Sequence, residues 1–158
     1  MARSARGFTL IELLVAVAIG GILFSGGLAA YRGIGEKQTV KQAGITFQSK
    51  LRLWQQKALA GEKPVDCTGA FEGYEVSYSS ITSYTVTAAC RISDADSNIV
   101  NLIEGVEFSS GFSPSTIIFP VLKSELTGAQ TITLTNGTFS YEVEIESTGV
   151  IRGEMLEI

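Results

Sequence analysis

The sequence contains no histidine. That removes imidazole general bases, Ser-His-Asp and Cys-His nucleophile systems, and every histidine metal site. Cysteine occurs only twice, at Cys67 and Cys90. Two thiols cannot build an all-cysteine zinc site or a four-thiolate cluster. No acid/base pair, nucleophile constellation or phosphate-cradling loop stands out either, so no catalytic residue, metal or cofactor is expected and the chain does not read as an enzyme. Charged residues make up only 18% of the 158 residues, against 45% hydrophobic. That balance is the reverse of a disordered chain and suits one domain with a core of its own.

Charge is unevenly spread. Residues 32–60 carry Arg32, Lys37, Lys41, Lys50, Arg52 and Lys57 against one acid, Glu36. Residues 61–158 carry Lys63, Arg91, Lys123 and Arg152 against 14 acids. An acidic distal body is a poor partner for nucleic acid, which needs a Lys/Arg field against phosphate.

The front of the chain is organised differently. Residues 1–7 are short and basic, with Arg3 and Arg6. Phe8 to Tyr31 is apolar with a single charge, Glu12. As a helix this stretch spans about 36 Å, enough to cross a ~30 Å hydrocarbon core with some tilt. The two arginines ahead of it predict a cytoplasmic N-terminus with the remainder outside. An ordinary signal peptide, with Gly27-Leu28-Ala29 as a poor cleavage site, is one reading, and a plain signal anchor is a second. Neither has a use for Glu12. A carboxylate in such a span costs roughly 2.5–3.5 kcal/mol at the centre and less near an end, and by default marks a functional group with a partner.

The run Gly7-Phe8-Thr9-Leu10-Ile11-Glu12-Leu13-Leu14, with its basic leader and apolar continuation, resembles the processing motif of type IV prepilins and type II secretion pseudopilins. The resemblance implies that a prepilin peptidase cuts between Gly7 and Phe8, that the new Phe8 amine is N-methylated, and that the helix is retained. In a filament, Glu12 of an incoming subunit would pair with the Phe8 amine of a neighbour. Pairing offsets much of the expense of burying either charge alone and sets axial register. A snorkelling acid near a helix end is the bland alternative for Glu12.

Helical periodicity continues beyond the apolar run. Val40, Ala43, Phe47, Leu51, Trp54 and Ala58 fall at spacings of three and four, an apolar seam on one face. Phe47 and Trp54 are expected to pack against the following body. Gln38, Lys41, Gln42, Gln48, Lys50, Arg52, Gln55, Gln56 and Lys57 fall largely off the seam; the basic ones among them read as a solvated face, with acidic neighbours in a filament or anionic lipid as the alternative. One helix is thus expected from about Thr9 to about Leu59, ended by Gly61 and Pro64. Gly20, Gly21, Gly26, Gly27, Gly33, Gly35 and Gly44 lie inside it, each unfavourable by up to ~1 kcal/mol relative to alanine in an exposed interior. Many pilins carry proline at the place of Ala29. Here the glycine pairs are read as the corresponding weak point.

After Pro64 the pattern alternates. Strands are expected at Glu72–Tyr78, Tyr84–Cys90, Ile99–Glu107, Thr116–Phe119, Thr131–Thr135, Phe139–Glu146 and Val150–Arg152. Asn136-Gly137 marks a hairpin, and Thr148-Gly149 a second turn. Asn136-Gly137-Thr138 also matches a glycosylation sequon, which the turn explains without sugar. Cys67 and Cys90 flank the first two strands and are expected to form a disulfide outside the cytoplasm; two buried thiols or a redox pair are the alternatives. Asp94-Ala95-Asp96-Ser97-Asn98 offers oxygen ligands for calcium but lacks the glycine and distal glutamate of an EF-hand loop, and reads as a turn. Glu142, Glu144 and Glu146 share one strand face, expected to be solvent or a docking surface.

These elements predict an α+β, pilin-like fold: leader 1–7, membrane and filament-core helix 8–31, amphipathic continuation 32–60 and antiparallel β-rich body 61–158. Leu51–Ala58, Thr116-Ile117-Ile118-Phe119-Pro120, Ile132–Leu134, Phe139–Ile145 and Gly149-Val150-Ile151-Arg152 are similar in pattern to H-type minor pseudopilins and related minor pilins. The resemblance implies a structural subunit of a type IV pilus or type II secretion pseudopilus. Its partners would be the prepilin peptidase, other pilin or pseudopilin subunits, the inner-membrane assembly platform and the membrane. It would be single-pass in the inner membrane, with its body outside the cytoplasm and then in a periplasmic or surface filament. A membrane-anchored extracytoplasmic binding module that never polymerises is the alternative.

Overall fold

The structure, a computed structural model, describes residues 9–95, 97–113, 115–126 and 128–156, without the side chains of residues 25–32. It divides into two compact units, Met1–Glu36 and Lys37–Ile158. One helix, α1, runs Leu10–Leu59. Eight strands follow: β1 (Phe71–Ser80), β2 (Ser83–Cys90), β3 (Asn98–Asn101), β4 (Glu107–Phe108), β5 (Thr116–Pro120), β6 (Gln130–Thr135), β7 (Ser140–Ile145) and β8 (Ile151–Leu156). All their pairings are antiparallel, in two four-stranded sheets ordered β3-β2-β1-β5 and β4-β6-β7-β8. This is the expected α+β, pilin-like layout.

In the second unit the helix seam lies where its periodicity puts it. Val40, Ala43, Phe47, Leu51 and Ala58 are buried, and Trp54 packs half-buried against them. Phe47 is the meeting point of the two sheets. Its ring lies 5.1 Å from Tyr84 of the first sheet and 5.5 Å from Phe108 of the second, both edge-on. Such pairs add ~0.5–1.5 kcal/mol beyond the area they bury. The strands supply alternate residues to the same core: Tyr74 and Val76, Tyr84, Val86 and Ala88, Ile117 and Phe119, Ile132 and Leu134, Tyr141, Val143 and Ile145.

Three off-seam helix residues, the basic Arg52 expected on a solvated face among them, reach backbone carbonyls of the second sheet and its turn. Gln48 Nε2 and Arg52 Nη2 both donate to the Ile151 carbonyl, at 3.2 and 2.6 Å, and Gln55 Nε2 donates to the Gly149 carbonyl at 2.7 Å. Gly44, outside the glycine pairs, has a packing role of its own. It is buried, and a Cβ there would overlap the ring of Tyr141. On the other side of Tyr141, a Cβ on Gly153 would fall 2.6 Å from its hydroxyl oxygen. The two glycines make room for one tyrosine between helix and strand.

The expected strand Ile99–Glu107 is two strands in different sheets. Asn98–Asn101 pairs with β2 and Glu107–Phe108 with β6. Between them the Val106 N–H reaches the Ile103 carbonyl and Gly105 takes φ +80°, which ends the extended run. Strand β8 runs on past Arg152 to Leu156, because the side-chain-free Gly153 admits Tyr141. The β6–β7 hairpin forms at Asn136-Gly137, with Asn136 Oδ1 accepting the Thr138 and Phe139 N–H groups and Gly137 at φ +87°.

Two outcomes follow. Gly44→Ala should destabilise the folded body by about 1–3 kcal/mol, the usual range for overpacking, read as a lower midpoint in denaturant unfolding. Burial pushes the Tyr84 phenol up to about 12. Below pH ~10 the phenol is protonated in both states and has no effect on stability. From pH ~10 toward 12 the unfolded chain alone releases the proton, so stability should fall with pH. In a pH series of unfolding midpoints, Tyr84→Phe should flatten part of that fall.

Candidate assembly and processing site

Gly7 and Phe8 lie outside the described residues. The description begins at Thr9, whose carbonyl accepts the Leu13 N–H at 3.2 Å and whose hydroxyl donates to Glu12 Oε2 at 3.4 Å. Thr9 thus sits at the N-cap and Glu12 in the first helical turn, the Thr-x-x-Glu spacing of a capping box. A carboxylate there also complements the positive end of the helix dipole. The Thr-x-x-Glu spacing is visible in the sequence, while the Thr9–Glu12 contact itself is a finding of the structure.

Around Glu12 the helix is uniformly apolar and uncovered. Leu10, Ile11, Leu13, Leu14, Val15, Val17, Ile19, Ile22, Leu23 and Phe24 are all more than half exposed, up to 80% at Leu10. Uncovered apolar surface of this extent marks an interaction site with lipid or with other chains. No helix among the described residues is long and apolar enough to cross a membrane. Leu10 to Phe24, the part whose side chains are described, spans only about 21–22 Å.

In the body, Cys67 and Cys90 are joined in a disulfide, with Cα atoms 5.7 Å apart and a sequence separation of 23. Both are buried. The loop between β2 and β3 is held beside it, since Asp94 Oδ1 accepts the Cys90 N–H at 2.8 Å. Asp94 therefore has a structural use as a turn residue; Asp96 lies outside the described residues. Among the described residues no group of three or more acids or cysteines is placed to hold a metal.

The glutamates of β7 stand apart from the core. Glu144 is exposed and Glu142 half-buried, while Glu146, just past the strand, pairs with Arg152 at 3.2 Å and accepts the Thr148 hydroxyl at 3.0 Å. With Gln48, Arg52, Arg152, Gly153 and Glu154, Glu142 and Glu144 line a shallow groove beside β8. At the far end of the helix, Lys57 donates to Glu62 at 2.7 Å, which raises its pKa.

Residues 2–28 match the family model of the prokaryotic N-terminal methylation motif. That motif is the one by which the N-terminus resembles type IV pilins and pseudopilins, and the match covers less than a fifth of the chain. Its motif spans the leader, Gly7, Phe8, the Thr9–Glu12 cap and the apolar helix beyond them. Neither a curated protein nor a solved structure matches the chain. The pilin-like layout of the body therefore rests on its own helix and sheets.

The disulfide closes the base of the β1–β2 hairpin. Replacing Cys67 and Cys90 together by serine should lower stability by about 3 kcal/mol on the chain-entropy account, measured by denaturant unfolding against the oxidised wild type.

Proposed function

We propose that this protein is a minor pilin or minor pseudopilin, a structural subunit of a type IV pilus or type II secretion pseudopilus. Prepilin peptidase cuts between Gly7 and Phe8, and the Phe8 amine is methylated. The apolar helix holds the subunit in the inner membrane as a single-pass protein and then packs among the helices of other subunits on the assembly platform. The body, 61–158, lies outside the cytoplasm, where its disulfide persists. The observation that carries this reading is an uncovered apolar helix with one carboxylate, at the end of which the methylation motif lies. The resemblance of the sequence in strand and turn pattern to H-type minor pseudopilins favours a minor role. No residue is assigned to catalysis.

Glu12 serves assembly in this reading. Before assembly its carboxylate accepts the Thr9 hydroxyl of its own chain; within the filament it neutralises the Phe8 amine of a neighbour. Insertion needs apolar length and a basic flank, and Glu12 supplies neither.

The test is the mature N-terminus and its fate. Mass spectrometry of membrane-extracted protein should find a chain starting at N-methylated Phe8, and Gly7→Leu should abolish that species. A chain starting near Tyr31 would establish an ordinary signal peptide, and an intact residue 1–7 leader a non-polymerising anchor. Glu12→Leu should reach the membrane at wild-type level yet be depleted in sheared filaments, since breaking one side of a buried ion pair costs about 3–5 kcal/mol. Normal recovery of that variant would remove Glu12 from the assembly contact.

A further inference from the structure

The turn between β6 and β7 holds a reactive dipeptide under restraint. Of the three asparagines, Asn98 precedes Ile99, Asn101 precedes Leu102 and Asn136 precedes Gly137. Only Gly137 offers a backbone nitrogen with no side chain to hinder its approach to the asparagine before it. Such a pair loses ammonia spontaneously. The Gly137 nitrogen attacks Asn136 Cγ and the new N–Cγ bond closes a five-membered imide. The Cγ–Nδ2 bond breaks, and Nδ2 leaves as ammonia with the Gly137 proton. Water then opens the imide at either carbonyl, leaving aspartate or isoaspartate. Isoaspartate carries the chain through the side chain. It lengthens the backbone by one carbon at the turn that sets the register of β6 on β7.

Both reacting groups are held in the folded hairpin. The Gly137 N–H donates to Thr135 Oγ1 at 3.0 Å. Asn136 Oδ1 accepts the Thr138 N–H at 3.1 Å and the Phe139 N–H at 2.9 Å. Thr135 Oγ1 also donates to the Phe139 carbonyl at 3.0 Å and accepts the Ser140 hydroxyl at 3.2 Å. A hydroxyl has one proton and two lone pairs, so that of Thr135 is fully used. Ring closure needs rotation about the Cα–C bond of Asn136, which takes the Gly137 N–H off Thr135 and Oδ1 off its two donors. The Asn136 N–H on the Phe139 carbonyl and the Thr135–Ser140 pair hold the chain on either side of that bond. Solvent access is no obstacle, since Gly137 and Thr138 are exposed and Asn136 is half-buried.

We propose that Asn136 is a conformation-gated deamidation site: the closed β6–β7 hairpin holds the reaction off through the Thr135 hydroxyl, and opening of the hairpin releases it. Thr135 is a positioning residue, because it keeps the attacking nitrogen turned away from Cγ. Water is the sole co-reactant. Deamidation then marks chains whose second sheet has come open, and the lengthened backbone opposes re-pairing in the old register. The gate belongs to the body alone and does not depend on the filament reading.

The test uses the full-length chain in detergent at mildly alkaline pH, native and in concentrated urea. Mass mapping follows the exchange of ammonia for water at Asn136, and chromatography resolves the isoaspartate form. Native wild type should deamidate about a hundredfold more slowly than the chain in urea, the effect of three net hydrogen bonds. Thr135→Val keeps the branched shape and loses the hydroxyl. In the native state it should react about fivefold faster than wild type, the effect of one such bond, while Thr135→Ser should stay near the wild-type rate. In urea all three chains should react alike, which assigns the difference to the folded hairpin. A native wild type that reacts as fast as the chain in urea overturns the proposal. So does Thr135→Val at the wild-type rate, Thr135→Ser as fast as Thr135→Val, or a difference between the variants that persists in urea.

Discussion

The body depends on one side chain touching three elements. Phe47 projects from the helix between the two sheets and meets a ring from each. Tyr78 and Tyr84 of the first sheet also touch Phe108 of the second directly, and Phe47 covers that contact from the helix side; without Phe47 the cover is lost. Tyr84 and Phe108 would face a void, and large aromatic deletions of this kind remove ~3–5 kcal/mol. A small domain has only ~5–15 kcal/mol of net stability in all. Gly44, one turn earlier, completes the arrangement. Its missing side chain lets Tyr141 come close, which draws the second sheet onto the helix.

Much of this was legible from periodicity. The 3.6-residue seam from Val40 to Ala58 and the two-residue alternation of Tyr74–Tyr78 and Tyr84–Cys90 are set by which residues must leave water, and nothing distant overrides that choice. The split of Ile99–Glu107 was not legible, because its alternation continues through a turn that only Gly105 betrays. The partners of Gln48, Arg52 and Gln55 were not legible either. They are carbonyls some hundred residues away in sequence, and a long polar side chain beside a seam looks the same whether it meets water or a backbone group. For the candidate site, the motif around Gly7 and Glu12 was plain in the sequence. The contact between Thr9 and Glu12 was not read there, because it depends on where the helix begins.

The two units place opposite demands on the same chain. In Lys37–Ile158, apolar residues are covered by the protein's own sheets. In the described part of Met1–Glu36, large apolar side chains stay uncovered. A helix of that kind is stable as secondary structure only where something else removes its surface from water. The sequence therefore specifies a finished body and an unfinished helix, and the unfinished part is where its partners enter.

The side chains that hold the body together also seal it. A sheet edge with free N–H and C=O groups is a template on which a foreign strand can grow. Here the outward carbonyl of Ile151 on β8 is occupied by both Gln48 and Arg52, and that of Thr116 on β5 by Gln130 Nε2 at 3.2 Å. The remaining edges, β3 and β4, are only four and two residues long. All four borders are thus blunted, by amide and guanidinium plugs or by brevity. Such edges give a foreign strand less to pair with, and leave the uncovered helix as the larger surface on which another chain can settle.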